Sequence, residues 1–193
     1  MEKKNRALII VDMQKDFCPG GSLAVQEGDK IVETINNLAK EYETVVLTKD
    51  WHPLNHCSFQ QNGGPWPPHC VENTRGAELV DGLKTNPSKV ILKGTHKEVD
   101  SYSGFYDNNH EFSTGLSEFL IEKKIEEVDV VGLALNYCVK YTALDAVEEG
   151  LSTRVILEGT RGIGDCAACI KEMQERGIEI IKKKERAEPT QSL

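Results

Sequence analysis

Side chains able to make and break bonds stand just past several short apolar runs of this chain. Asp12 follows Ala7–Val11, Asp50 and His52 follow Thr44–Thr48, and Lys93 ends Val90–Lys93. After Val128–Val131 comes Cys138, near the start of a helical pattern. In an open parallel sheet, ligands sit beyond the carboxyl ends of the strands, where strand order reverses. A thiol, a carboxylate, an ammonium group and an imidazole are thus expected at one sheet edge. A cysteine in the first turn of a helix feels unpaired N–H groups, which favour the thiolate. On position alone, a buried small apolar residue is the commoner fate of a free cysteine. Burial of Asp12 would raise its pKa, letting it take the thiol proton and later deliver it to a leaving amine. Lys93 would stabilise charge on both partners, although a strand-end lysine taken alone is usually just solvated.

The segment Lys49–Arg75 adds a second chemistry. It carries Asp50-Trp51-His52, then His56, then Trp66-Pro67-Pro68-His69. Alternation along an extended chain puts Asp50 and His52 on one side. With His69, and His56 as a further donor, this mixed set suits one divalent metal ion, Zn²⁺ first, with Fe²⁺ or Mn²⁺ as alternatives. Isolated histidines are usually plain surface residues, but three of the five in the chain lie here. Cys57 and Cys70 are alternative ligands, ranked lower because a thiolate-rich set suggests structural zinc. Cys166-Ala167-Ala168-Cys169 is read as ordinary helix, and the glycines of Gly159–Gly164 as a turn lacking a P-loop lysine.

These groups need a scaffold, and the pattern supplies one. The strand candidates, completed by Arg154–Leu157 and Glu179–Ile181, are near-continuous aliphatic runs, as in a parallel sheet covered on both faces. Helical stretches fill the gaps. Asp29–Tyr42 places Ile31, Ile35, Leu38 and Tyr42 on one face. Ser113 is the expected cap of a helix to about Lys124, with Leu116, Phe119 and Leu120 inward. A helix follows Asn136 and ends at Gly150, and Asp165 would cap the last one, reaching about Arg176. The fold class is therefore α/β. The long loop is rich in Pro, Gly, His and Trp, which marks it as ordered and functional.

The 193 residues suit a single domain, 1–193, with a polar, frayed tail at about 182–193. Net charge is −8, which speaks against nucleic acid or an anionic membrane as partner. No apolar run approaches the roughly 20 residues of a spanning helix or the core of a secretory signal. The six cysteines are then expected as free thiols in a cytoplasmic protein.

Several motifs together resemble the nicotinamidase/pyrazinamidase branch of the isochorismatase-like hydrolases, from about Ala7 to Ile181. They are Ala-Leu-Ile-Ile-Val-Asp12-Met-Gln-Lys-Asp16-Phe17-Cys-Pro-Gly-Gly-Ser-Leu, Thr-Lys-Asp50-Trp-His52, Trp66-Pro-Pro-His69-Cys, Lys93-Gly, Asp100-Ser-Tyr102-Ser-Gly-Phe105 and Gly132-Leu-Ala134-Leu-Asn136-Tyr-Cys138-Val. The resemblance implies a three-layer, Rossmann-like α/β/α fold with a six-stranded parallel sheet in the order 3-2-1-4-5-6. It implies a triad of Asp12, Lys93 and Cys138, and a metal held by Asp50, His52 and His69, with His56 joining in some members. It also implies a cis peptide between Leu133 and Ala134, and an oxyanion hole from the backbone N–H groups of Ala134 and Cys138. Phe17, Trp66, Tyr102, Leu133 and Ala134 would line the ring pocket.

The reaction implied is hydrolysis of nicotinamide to nicotinate and ammonia through a cysteine thioester, as in NAD salvage, with pyrazinamide as a further substrate. Asn136 departs from the aspartate common in the family, and two extra residues lie between Lys93 and Tyr102 relative to some members. The alternatives are a related hydrolase acting on another small amide or carbamoyl compound or on isochorismate, and a catalytically dead binder of nicotinamide. Self-association is left open.

Overall fold

The structure, a computed structural model, describes residues 5–183. From residue 184 onward, the tail expected to fray lies outside the described residues. Six parallel strands form one sheet in the order β3-β2-β1-β4-β5-β6. They are β1 (Arg6–Val11), β2 (Thr44–Asp50), β3 (Lys89–Lys93), β4 (Glu127–Leu133), β5 (Ser152–Arg161) and β6 (Glu179–Ile181). The helices are α1 (Val32–Ala39), α2 (Leu116–Glu122), α3 (Lys140–Glu148) and α4 (Ala167–Glu175).

Strand alternation divides the core between the two faces. Ala7, Ile9, Val11, Val46, Val128 and Val130 pack with Leu116 and Leu120 of α2, Ala143 and Ala146 of α3 and Met173 of α4. Leu8, Ile10, Val45, Leu47 and Val131 pack on the other face with Ile31, and with Ile35 and Leu38 of α1. Both faces being covered explains why the strands read as unbroken apolar runs. No helix among the described residues is long and apolar enough to cross a membrane.

Helix starts differ from expectation. The stretch from Asp29 begins as a 3-10 turn, Gly28–Ile31, and the α-helix proper spans Val32–Ala39. Ser113 is not the N-cap of α2; that position is Gly115, in the left-handed region. The Ser113 hydroxyl accepts from the Gly115 N–H and reaches the Glu118 carboxylate, so it shapes the turn one step earlier. Asp165 is not the N-cap of α4 either; that position is Cys166, and Asp165 accepts from the Ala167 N–H at 2.9 Å from one residue earlier.

Between β4 and α3 the chain makes a π-turn, Leu135–Val139, instead of entering an α-helix directly. Such turns are concentrated at functional sites. The Leu133–Ala134 peptide before it is cis. Gly132 lies opposite Val11 at φ +115°, where an added Cβ would fall 2.1 Å from the Val11 oxygen. Only glycine lets β1 and β4 approach this closely, and that approach sets Asp12 beside the turn carrying Cys138.

Candidate active site

Sheet register brings the chemistry to one edge. Val11 is opposite Thr48 and Gly132, while Asp50, the last residue of β2, is opposite Lys93, the last residue of β3. Lys93 is 1% exposed, and its ammonium group is the hub of the site. Nζ lies 2.8 Å from Asp12 Oδ2 and 2.5 Å from Asp50 Oδ1. It donates to the Ser101 carbonyl at 2.8 Å and stands 3.5 Å from Cys138 Sγ. The other Asp12 oxygen accepts from the Thr48 hydroxyl at 2.7 Å. Ligating atoms of Asp12, Asp50 and Cys138 all lie within 4.8 Å of one another.

The electrostatics follow from burial and from two acids sharing one cation. Burial raises the pKa of Asp12 above the ordinary carboxylate range; Lys93 opposes this and Asp50 adds to it. Burial works against the charge on Lys93, but Asp12, Asp50 and the Cys138 sulfur hold its pKa well above the usual lysine value. At Cys138 the field of a helix start meets opposing influences. Burial pushes its pKa well above the ordinary thiol value, Lys93 only partly offsets this, and Asp12 and Asp50 push further in the same direction. The resting group is therefore the thiol, because full burial next to two carboxylates outweighs the field of a helix start. Any thiolate chemistry at this position calls for a base in contact with the sulfur.

A second cluster begins on the far side of Asp50. Its Oδ2 lies 3.3 Å from His52 Nε2 and 3.7 Å from His69 Nε2. His52 Nδ1 meets the Gly94 carbonyl at 2.8 Å, and His69 Nδ1 meets the Pro67 carbonyl at 2.8 Å. A carbonyl can only accept, so each Nδ1 donates its proton there, and each Nε2 is the atom turned toward Asp50. Gly94 makes room for this. At φ +64°, an added Cβ would fall 2.3 Å from His52 Cε1.

Among the described residues, Asp50, His52 and His69 form one group whose ligating atoms lie within 4.8 Å of one another. His52 Nε2 is buried without a hydrogen-bond partner. Burial disfavours a proton on His52, yet Asp50 raises its pKa overall, so this spot attracts positive charge. Burial likewise opposes the charge on Asp50, and Lys93 and His52 hold its pKa well below the carboxylate range. An orphaned imidazole nitrogen, a second imidazole nitrogen turned the same way and a carboxylate held in its ionised form fit a divalent metal.

His56 does not join that group. Its ring stacks on His52 with centroids 4.0 Å apart. Its Nδ1 meets the Ser58 hydroxyl at 2.7 Å and its Nε2 the Val99 carbonyl at 3.3 Å. Burial and the neighbouring His52 depress its pKa to about 4. His56 converges instead with His52 and Asp100. Cys70 is buried with its N–H on Asp16, and Cys57 is half-buried; neither falls in a metal-like group among the described residues.

Both clusters open into one cleft. Phe17, Trp66, Tyr102, Ala134 and Cys138 line it, as do Asp50 and His69. The Trp66 indole N–H donates to the Tyr102 hydroxyl at 3.2 Å, and Tyr137 packs edge-on against Trp66. Leu133, expected in the lining, is fully buried in the core on the α1 face, against Gly28. Ala134, the next residue, lines the cleft in its place.

Other residues of the site were not singled out from sequence. The Gln14 side chain holds Asp50 by both backbone groups, donating to its carbonyl and accepting from its N–H, each at 2.8 Å. Thr48 orients Asp12. Leu23, Val25, Tyr137 and Ile163 complete the apolar wall of the cleft. Gln14 and Thr48 do sit within two positions of Asp12 and Asp50, a signal available in the sequence; Ile163 had none.

The isochorismatase domain family matches residues 6–191. The chain belongs to the isochorismatase family. Within that family it is 42% identical to a nicotinamidase of Escherichia coli, over 91% of this chain and 93% of that protein. An L. infantum protein solved in complex with nicotinate has TM-score 0.90 and 41% identity, with 93% of each chain covered. A Pyrococcus horikoshii pyrazinamidase solved in complex with zinc has TM-score 0.84 and 41% identity, covering 92% of this chain and 98% of that one. The sheet order is thus the isochorismatase order, as the motifs implied.

Proposed function

We propose that this protein is a metal-containing nicotinamide amidohydrolase that works through a cysteine thioester. The observation that carries this reading is the contact of Lys93 with Asp12, Asp50 and Cys138, which joins a nucleophile to a metal-type donor set at one aromatic cleft. Relatives named as nicotinamidase and pyrazinamidase, at 41–42% identity, support nicotinamide as substrate and pyrazinamide as a second one.

Asp50, His52 and His69 would hold the metal, with zinc the first choice because zinc is bound in the Pyrococcus horikoshii protein. A divalent ion held there would supply Lewis-acid chemistry at the cleft. Phe17 and Trp66 flank the aromatic ring. Asp12 accepts the Cys138 proton as the sulfur attacks the amide carbon. Lys93, buried against both partners, keeps the charged pair stable. The N–H groups of Ala134 and Cys138 receive the developing oxyanion, each worth on the order of 3 kcal/mol in comparable enzymes. Asp12 returns its proton to the departing nitrogen as the C–N bond breaks, leaving a thioester and ammonia. A water then gives a proton to Asp12 and its oxygen to the acyl carbon, and nicotinate leaves as the thiol is restored.

The six free cysteines accord with a cytoplasmic location. The deciding experiment is ammonia release from nicotinamide and pyrazinamide by purified protein, beside Cys138→Ala and a chelator-treated sample. Turnover by the wild type that disappears in both controls supports the reading. Full activity of Cys138→Ala removes the covalent scheme.

A further inference from the structure

Asn136 stands two residues before Cys138 and has no part in the mechanism above. It lies in the π-turn Leu135–Val139, and its side chain reaches across to the segment that follows β5. There both ends of its amide meet one residue. Nδ2 donates to the Ile163 carbonyl at 2.8 Å, and Oδ1 accepts from the Ile163 N–H at 3.0 Å. Ile163 is 39% exposed and lines the same cleft as Phe17, Trp66 and Cys138, which puts it at the mouth. Gly162 leaves no slack beside it, since an added Cβ would fall 2.2 Å from Cys166 Sγ and 3.2 Å from Asn136 Oδ1.

We propose that Asn136 is a specificity-determining positioning residue, whose amide pins Ile163 across the mouth of the cleft and so sets the size of aromatic amide admitted. A primary amide offers a donor and an acceptor side by side, matching the C=O and N–H of a single residue. A carboxylate of the same shape keeps the bond from the N–H but sets a negative oxygen against the Ile163 carbonyl. Alanine removes both bonds. The substrate class in this proposal rests on the amidohydrolase reading; the pinning of Ile163 does not.

The test uses the metal-loaded wild type, Asn136→Asp, Asn136→Ala and Ile163→Ala. Two quantities are measured: alkylation of Cys138 by iodoacetamide, read by peptide mass, and kcat and KM for nicotinamide and ring-methylated nicotinamides. Loss of one or two neutral hydrogen bonds should raise KM for nicotinamide about two- to tenfold in both Asn136 variants. Their kcat should stay within about twofold, since the lost contacts do not change between bound substrate and transition state. Methylated substrates should gain relative to nicotinamide, and Cys138 should alkylate faster. Ile163→Ala should show the same gains with the turn untouched, and it decides alone if the Asn136 variants fail to fold.

Unchanged selectivity and alkylation in Asn136→Ala and Ile163→Ala overturn the proposal. A fall in kcat with KM kept also overturns it, since Asn136 would then serve the turn that carries Cys138. A wild type releasing no ammonia instead defeats the amidohydrolase reading, and the alkylation rates still decide whether Asn136 pins the mouth.

Discussion

The two ends of the same sheet each bury charge, and they do it in opposite ways. At the amino end, Asp129 of β4 is fully buried, with both oxygens held by Arg154 at 2.6 and 2.5 Å. The Tyr42 hydroxyl donates to the same carboxylate. Beside it, Arg6 binds Glu127. Each acid there has a guanidinium of its own. At the carboxyl end, Asp12 and Asp50 share the single ammonium group of Lys93, with a thiol pressed against it and an imidazole nitrogen left without a partner. A satisfied network holds a fold in place. An incomplete one has room for a proton to move and a metal to bind, so the difference separates structural charge from chemical charge.

Substitutions at the two ends should therefore fail differently. Cys138→Ala should lower kcat by at least about a thousandfold while leaving thermal unfolding nearly unchanged. Asp129→Ala should do the reverse, costing about 3–5 kcal/mol of stability by stranding Arg154. Its folded fraction should keep kcat/KM within about twofold, because no bond of Asp129 reaches the cleft. Loss of activity in a folded Asp129→Ala protein would break the distinction between the ends. His69→Ala should lower bound metal from about one equivalent per chain to near zero by elemental analysis, if its Nε2 is one of the few ligands.

A smaller effect sharpens the same contrast. Burial opposes the charge on Asp107, yet the N–H groups of Phe112, Asn109 and Glu111 hold its pKa below the ordinary 3.8. A depressed carboxylate stabilises the fold above the unfolded value and loses that contribution as pH falls through its folded-state pKa. Asp107→Asn should then lower Tm at pH 7 by about 2–4 °C. The gap should close in strong acid, with turnover little changed throughout. An equal gap at both pH values would show that charge is not what Asp107 contributes.

Much of this was legible in the chain. Strand runs such as Ala7–Val11 are unbroken because both sheet faces are covered, and Asp12, Asp50, Lys93 and Cys138 all stand at strand ends or just beyond. Strand order came from family resemblance, since periodicity does not encode which strands are neighbours. What stayed hidden depends on side-chain direction in irregular backbone. His56 lies four residues from His52, yet the turn between them stacks the rings. Leu133 and Ala134 are consecutive, and only one faces the cleft. The balance at the Cys138 thiol was hidden too, because local position near a helix start says nothing of two carboxylates arriving from β1 and β2.

Lys93 and Gly94 have a further consequence. These consecutive residues, at the end of the outermost strand, hold the ammonium hub and the carbonyl that turns His52. Among the described residues β3 pairs with β2 alone, and it shows Val90 and Leu92 to solvent, each 43% exposed. An outer strand secured along one side opens more readily than the middle of a sheet. On heating, the enzyme should therefore fall silent before it melts: ammonia release fades while the central strands still resist hydrogen exchange, and amides of residues 89–93 exchange first.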